Sequence, residues 1–238
     1  MQKDNKQNSH GQDSHNKENT ESEKRLLHEK VEIILDALEK MYPDAECSLD
    51  YDGDPFHLTV RAILSAQCTD KRVNEVAKTL FLEYPDPESF AREDETVIGT
   101  KIMSCGLYRT KAHALVGSSK MIINEFGGKI PSDQKSLERL PGVGRKVANL
   151  ILGEIYHIPA IVVDTHCGRV ANRLGLSDSE APLIIEKDLM ACIPQSNWIT
   201  LGHRFVAHGR TLCMARSPKC PVCPVREVCT YAGKKFSD

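Results

Sequence analysis

The sequence predicts an all-α protein, and three observations carry that prediction. Apolar residues recur at three- and four-residue spacing through nearly every segment, Gly and Pro fall where those runs end, and the one strand-like stretch, Ile158–Val163, has no second run to pair with. Taken in order, Leu27, Val31, Ile34, Leu35, Leu38 and Met41 share one helical face that Pro43 stops. Val60, Ile63, Leu64 and Gln67 repeat the pattern, and Val73, Val76, Ala77, Leu80 and Phe81 form the helix before Pro85. Leu115, Ser119, Ile122 and Phe126 line the next one, closed by Gly127 and Gly128, because glycine readily takes the left-handed conformation that ends a helix. Ser132 is expected to cap a short helix reaching Arg139, and Val147, Leu150 and Ile151 belong to the helix after it. Further helices start near His166, run through Ile184, Ile185 and Leu189, and finish with Trp198, Leu201, Phe205 and Val206 behind a Ser196 cap.

A chain of 238 residues at 40% hydrophobic can bury a core in one large domain or two small ones. No apolar stretch is long enough to span a membrane, so no membrane partner is expected. Residues 1–23 are polar and charged with no apolar run; they carry no secretory signal and are expected to stay disordered, outside the fold. Nine cysteines, an odd number in a chain of this size, suit a reducing cytoplasm better than a disulfide framework. Cys47, Cys68, Cys105, Cys167 and Cys192 sit within apolar patterns as small hydrophobes.

The net charge of −2 conceals a segregation. Residues 31–100 hold 6 Lys+Arg against 16 Asp+Glu, a net of −10, whereas residues 101–173 hold 11 against 5, a net of +6, and residues 200–238 hold 7 against 2, a net of +5. The two basic segments contain the two motifs described next, which points to a phosphate-facing surface.

The first motif is Leu140-Pro141-Gly142-Val143-Gly144-Arg145-Lys146, a tight link between two helices. Gly142 and Gly144 let the backbone turn and leave N–H groups uncovered at the start of the second helix. Those N–H groups, with the positive end of the helix dipole behind them, bind a phosphate without reading sequence, and Arg145 adds charge. The second motif is Cys213, Cys220, Cys223 and Cys229, a Cys-x6-Cys-x2-Cys-x5-Cys array compact enough for one inorganic centre. Zinc and an iron–sulfur cluster both take four thiolates; zinc commonly uses two close pairs, and here only Cys220 and Cys223 are close.

In this order, Leu64-Ser65-Ala66-Gln67-Cys68-Thr69-Asp70, Gly106-Leu107-Tyr108, the glycine hairpin with Lys146, Val163-Asp164-Thr165-His166, Arg169-Val170-Ala171-Asn172-Arg173, His208-Gly209-Arg210 and the four cysteines resemble the endonuclease III family of iron–sulfur helix-hairpin-helix DNA glycosylases. The resemblance covers essentially everything after the N-terminal tail. It implies removal of oxidised pyrimidines from duplex DNA and cutting of the resulting abasic site by β-elimination. It implies Lys146 as the nucleophile that forms a Schiff base at the sugar C1′, and Asp164 as the catalytic carboxylate. Gln67 matches a plug for the gap left by an extruded nucleotide, and Leu107 a wedge in the opposite strand. A [4Fe–4S] cluster on the four cysteines would hold Arg216 and Lys219 outward as phosphate contacts.

The same resemblance implies a six-helix domain over residues 47–158 and a cluster domain made from 24–46 and 159–238. DNA would lie in the cleft between them. A monomer, associated with the nucleoid if the source is a prokaryote, is expected. Elementary chemistry agrees with the central assignments. A lysine at a helix N-terminus beside Arg145 meets positive potential that favours the neutral amine, and Asp164 is also placed to cap the helix that follows it. Val147 departs from the family's frequent Thr, and Cys167-Gly168 stand where bulkier residues are usual; both leave the base preference open. The alternatives are a monofunctional mismatch glycosylase, disfavoured by Lys146, and a non-catalytic DNA-binding protein.

Overall fold

The computed structural model describes residues 10–236 and contains no strand among them. Twelve α-helices follow in order: α1 His10–Met41, α2 Pro55–Leu64, α3 Asp70–Glu83, α4 Pro87–Arg92, α5 Glu95–Lys101, α6 Tyr108–Phe126, α7 Gln134–Leu137, α8 Arg145–Tyr156, α9 Thr165–Leu174, α10 Pro182–Cys192, α11 Trp198–Thr211 and α12 Thr230–Phe236. The expected all-α class is the observed one. None of the helices is long and apolar enough to cross a membrane.

Local chemistry sets the starts. The carboxylates of Asp54, Asp86, Asp94, Asp133 and Asp164 each accept a backbone N–H from the first turn that follows, and Pro55, Pro87 and Pro182 occupy first positions where no N–H is needed. Gly127, at φ 61°, closes α6 as expected.

Four expectations are corrected. Asp133 replaces Ser132 as the cap of a shorter α7, because the Ser136 N–H reaches its carboxylate at 3.0 Å. Ser196 lies inside a 3-10 turn, Gln195–Asn197, and α11 starts after Asn197 with no side-chain cap. Gln67 lies beyond the end of α2, in the turn to α3, with φ 53°. The polar N-terminus, expected to stay disordered, is helical from His10; residues 1–9 lie outside the described residues. Residues 21–29 of that helix are all exposed and add nothing to the core, in keeping with their composition.

Buried apolar residues fall into two cores. One runs from Leu49 to Ala160 and is built from α2 to α8. The other joins Val31, Ile34 and Leu38 of α1 to residues from Ile161 onward, chiefly on α9, α10 and α11. The chain crosses from one core to the other in the extended stretch between α8 and α9, which had read as a lone strand.

Candidate functional site

A cleft with a cavity of about 190 Å³ opens where the two cores meet, lined chiefly by α8, α11, the residue 45–49 loop and the crossing stretch. Lys146, in the first turn of α8, and Asp164, at the end of the crossing stretch, both border it. Buried Asn149 sets their relation: its Nδ2 donates to the Ile161 carbonyl at 2.8 Å, pinning the crossing stretch to α8. Asp164 then caps α9, one carboxylate oxygen accepting the Cys167 N–H at 2.7 Å. Its other oxygen has no partner among the described residues.

At the mouth, Arg210 of α11 donates to Asp70 at 2.7 Å and Ser48 donates to the same carboxylate at 2.6 Å. Burial pushes the Asp70 carboxyl up, but these two hydrogen bonds and the nearby Arg210 and Lys146 charges outweigh it and hold the group below its ordinary range. An ion pair thus frames the lysine without neutralising it by direct contact.

Arg145, read from the sequence as added charge at a phosphate site, is engaged within the protein. Its Nε and Nη2 donate to the two oxygens of Glu186 on α10 at 2.7 and 2.8 Å, a bidentate pair that joins α8 to the second core. The positive potential expected beside Lys146 therefore comes from the helix terminus, whose first-turn N–H groups have no side-chain cap. Glu186 is 7% exposed and Arg145 43%. Arg145→Ala is expected to lower stability by about 2–3 kcal/mol, less than for a wholly buried pair but well above a surface one. Urea unfolding would show it, and the salt dependence of DNA binding should stay unchanged.

The hairpin is equally divided. Gly142, at φ 81°, is forced by packing, since a Cβ there would stand 2.8 Å from that of Ala114. Val143, expected as a DNA contact, has a buried side chain, and its N–H donates to the Leu140 carbonyl at 2.9 Å. Gly142 and Gly144 remain exposed, with N–H groups that have no partner among the described residues.

Gln67 and Leu107 sit at the tips of two turns, both exposed and both in the left-handed region, at φ 53° and 46°. Holding non-glycine residues there costs energy, so the surroundings must impose it. Lys111, 3% exposed, supplies the tie: its ammonium donates at 2.8 Å to the carbonyls of both Leu64 and Cys105, just before the two turns. Nothing in the sequence singled out Lys111 or Asn149.

The four array cysteines ring one hollow together with Arg173, His208 and Leu212. Burial and the neighbouring Cys229, Cys213 and Cys220 push the Cys223 thiol up, so the four sulfurs feel one another. All four thiols line that one hollow. This donor set fits a multinuclear iron–sulfur group. Arg173 donates to the Met214 and Ala215 carbonyls at 2.7 and 3.0 Å, and Arg169 to the Cys213 and Gly209 carbonyls at 3.1 and 2.9 Å. Both arginines of the sequence motif thus brace the loop that carries the cysteines. Arg216 and Lys219, on that loop, are exposed and have no side-chain partner among the described residues. Of the other cysteines, Cys47 borders the cleft, and burial pushes its thiol up to about 12.

Comparison with known proteins follows the geometry. Residues 60–195 match the family model described as HhH-GPD superfamily base excision DNA repair protein, and residues 213–229 match the iron-sulfur binding domain of endonuclease III. The chain is 43% identical over 206 residues to endonuclease III of Bacillus subtilis (strain 168), covering 86% of this chain and 94% of that protein. It is 44% identical over 203 residues to endonuclease III of Synechocystis sp. (strain ATCC 27184 / PCC 6803 / Kazusa), covering 85% and 92%. Among solved structures it is similar to a trapped endonuclease III-DNA covalent intermediate, with a TM-score of 0.81, 41% identity and coverage of 85% and 95%. A non-covalent endonuclease III-DNA complex gives 0.83 at 40% identity, covering 88% and 98%.

Proposed function

Because the chain belongs to the endonuclease III family, we propose that Lys146 and Asp164 carry its chemistry, with the cleft between the two cores as the reaction chamber. The protein is a base-excision-repair DNA glycosylase and abasic-site lyase that acts on oxidised pyrimidines in duplex DNA and carries a [4Fe–4S] cluster. The observation that carries the residue assignment is the shared cleft, into which Asn149 fixes the lysine's helix and the carboxylate's stretch together.

In this reading the Lys146 amine attacks the sugar C1′ of an extruded nucleotide, the C1′–N bond breaks, and the base leaves with a proton. Asp164 stabilises the positive charge that develops on the sugar and relays protons during amine addition. The C1′–O4′ bond then opens, O4′ taking a proton, and the resulting iminium acidifies the C2′ proton; its removal breaks the 3′ C–O bond, and water later frees the lysine.

Gln67 and Leu107 fill the space the nucleotide vacates, and the free N–H groups of Gly142 and Gly144, with Arg216 and Lys219, hold phosphates. Cys213, Cys220, Cys223 and Cys229 would hold the cluster, which would tie them together and so shape the basic loop. We take residues 47–158 as one domain and residues 24–46 with 159–238 as the cluster domain. We infer that the protein acts as a monomer in the cytoplasm, with the nucleoid.

The test is borohydride trapping by the cluster-loaded protein on duplexes containing thymine glycol or an abasic site. Covalent adducts are expected on both, and a protein that forms neither does not work through a lysine imine.

A further inference from the structure

The floor of the cleft holds a polar pair that the lysine chemistry does not use. From Lys146 to Glu154 along α8, and from Arg210 to His203 along α11, the cleft is lined at intervals of eight and seven residues, so mouth and floor lie roughly 10–12 Å apart. Between them the walls include Leu150, Val162 and Val206. A flat ring can slide edge-first between such walls, with its sugar at the mouth.

At the floor, His203 Nε2 lies 2.7 Å from one oxygen of Glu154, and the Tyr51 hydroxyl donates to the other at 3.0 Å. His203 and Glu154 are only 16% and 11% exposed, yet both border the cavity. Burial pushes the Glu154 carboxyl up, but the bonds from His203 and Tyr51 outweigh it and keep it ionised. A carboxylate accepts only, so it takes the Nε2–H of His203; in the neutral imidazole Nδ1 is then an acceptor, and it has no partner among the described residues.

We propose that the Glu154–His203 pair reads the far edge of the extruded base: His203 Nδ1 accepts the imide N3–H of a uracil- or thymine-type ring, so the protein prefers oxidised pyrimidines that keep that imide. A cytosine-type ring presents an acceptor at N3, and two acceptors would then face each other at the floor of the cleft. Leaving buried acceptors unmet is expected to slow excision roughly ten- to hundredfold for the cytosine-type base. The inference rests on the reading that Lys146 holds the sugar at the mouth.

A matched pair of lesions isolates the imide: 5-hydroxyuracil and 5-hydroxycytosine differ only at N3 and the 4-substituent. Single-turnover excision by the cluster-loaded protein is expected to favour 5-hydroxyuracil at least about tenfold. In His203→Gln, whose amide can donate as well as accept, the ratio should fall to within about threefold of unity while nicking of a preformed abasic duplex, which has no base to read, persists. A parent ratio near unity overturns the proposal without any variant, and so does a preference that survives in His203→Gln. Should that variant not fold, Glu154→Gln, which releases the tautomer, is expected to erode the same ratio, and an unchanged ratio there again overturns it. Failure of the underlying reading would look different, because the parent would then nick no abasic duplex.

Discussion

Lys146→Gln is expected to leave no borohydride-trapped adduct on abasic DNA and to slow single-turnover excision of an oxidised pyrimidine by at least about 10³-fold, in line with removal of a nucleophile in other enzymes. Glutamine keeps much of the side chain's reach and polarity and deletes only the amine that can bond to C1′. Lys146 is exposed and makes no hydrogen bond among the described residues, so the thermal midpoint should not move. A variant that nicks abasic DNA at the parent rate would remove lysine from the mechanism.

Asp164→Asn should separate two roles that one carboxylate performs. Asn caps a helix about as well as Asp, so the bond from the Cys167 N–H persists and α9 keeps its start. The charge that stabilises the sugar is lost, and excision is expected to fall about 10²–10⁴-fold, the range for a positioned acid–base group. Asp164→Ala should show the same kinetic loss and also about 1 kcal/mol less stability in urea unfolding. If Asn retained parent kinetics, Asp164 would be a cap alone.

The helices were legible because burial imposes a period: Val31, Ile34 and Leu38 are spaced for one face and are fully buried on it. Asp164 was legible as well, since an Asp between an apolar run and a new helical pattern has few other uses. Periodicity misled at Gln67, where a glutamine in phase with an apolar face turned out to lie past the helix end. The ion pair of Arg145 escaped notice for a different reason. Charge is visible in a sequence but its partner is not, and Glu186 lies 41 residues away. Asn149 and Lys111 were invisible on the same ground, because an Asn or Lys within a helix reads as a solvated group until the carbonyls it reaches are known.

On the proposed roles, nucleophile and carboxylate belong to different cores, Lys146 to the helix that carries Ala148, Ile151 and Leu152, and Asp164 to the one that carries Cys167, Val170 and Leu174. Cutting therefore requires both halves to be folded and docked at once. A chain emerging from the ribosome, or one whose second half has come loose, would own a hairpin that can hold a phosphate backbone but no complete pair to sever it. Division of the two groups across the junction makes the assembled protein its own safety catch, so that strand scission begins only when the whole molecule is in place to control it.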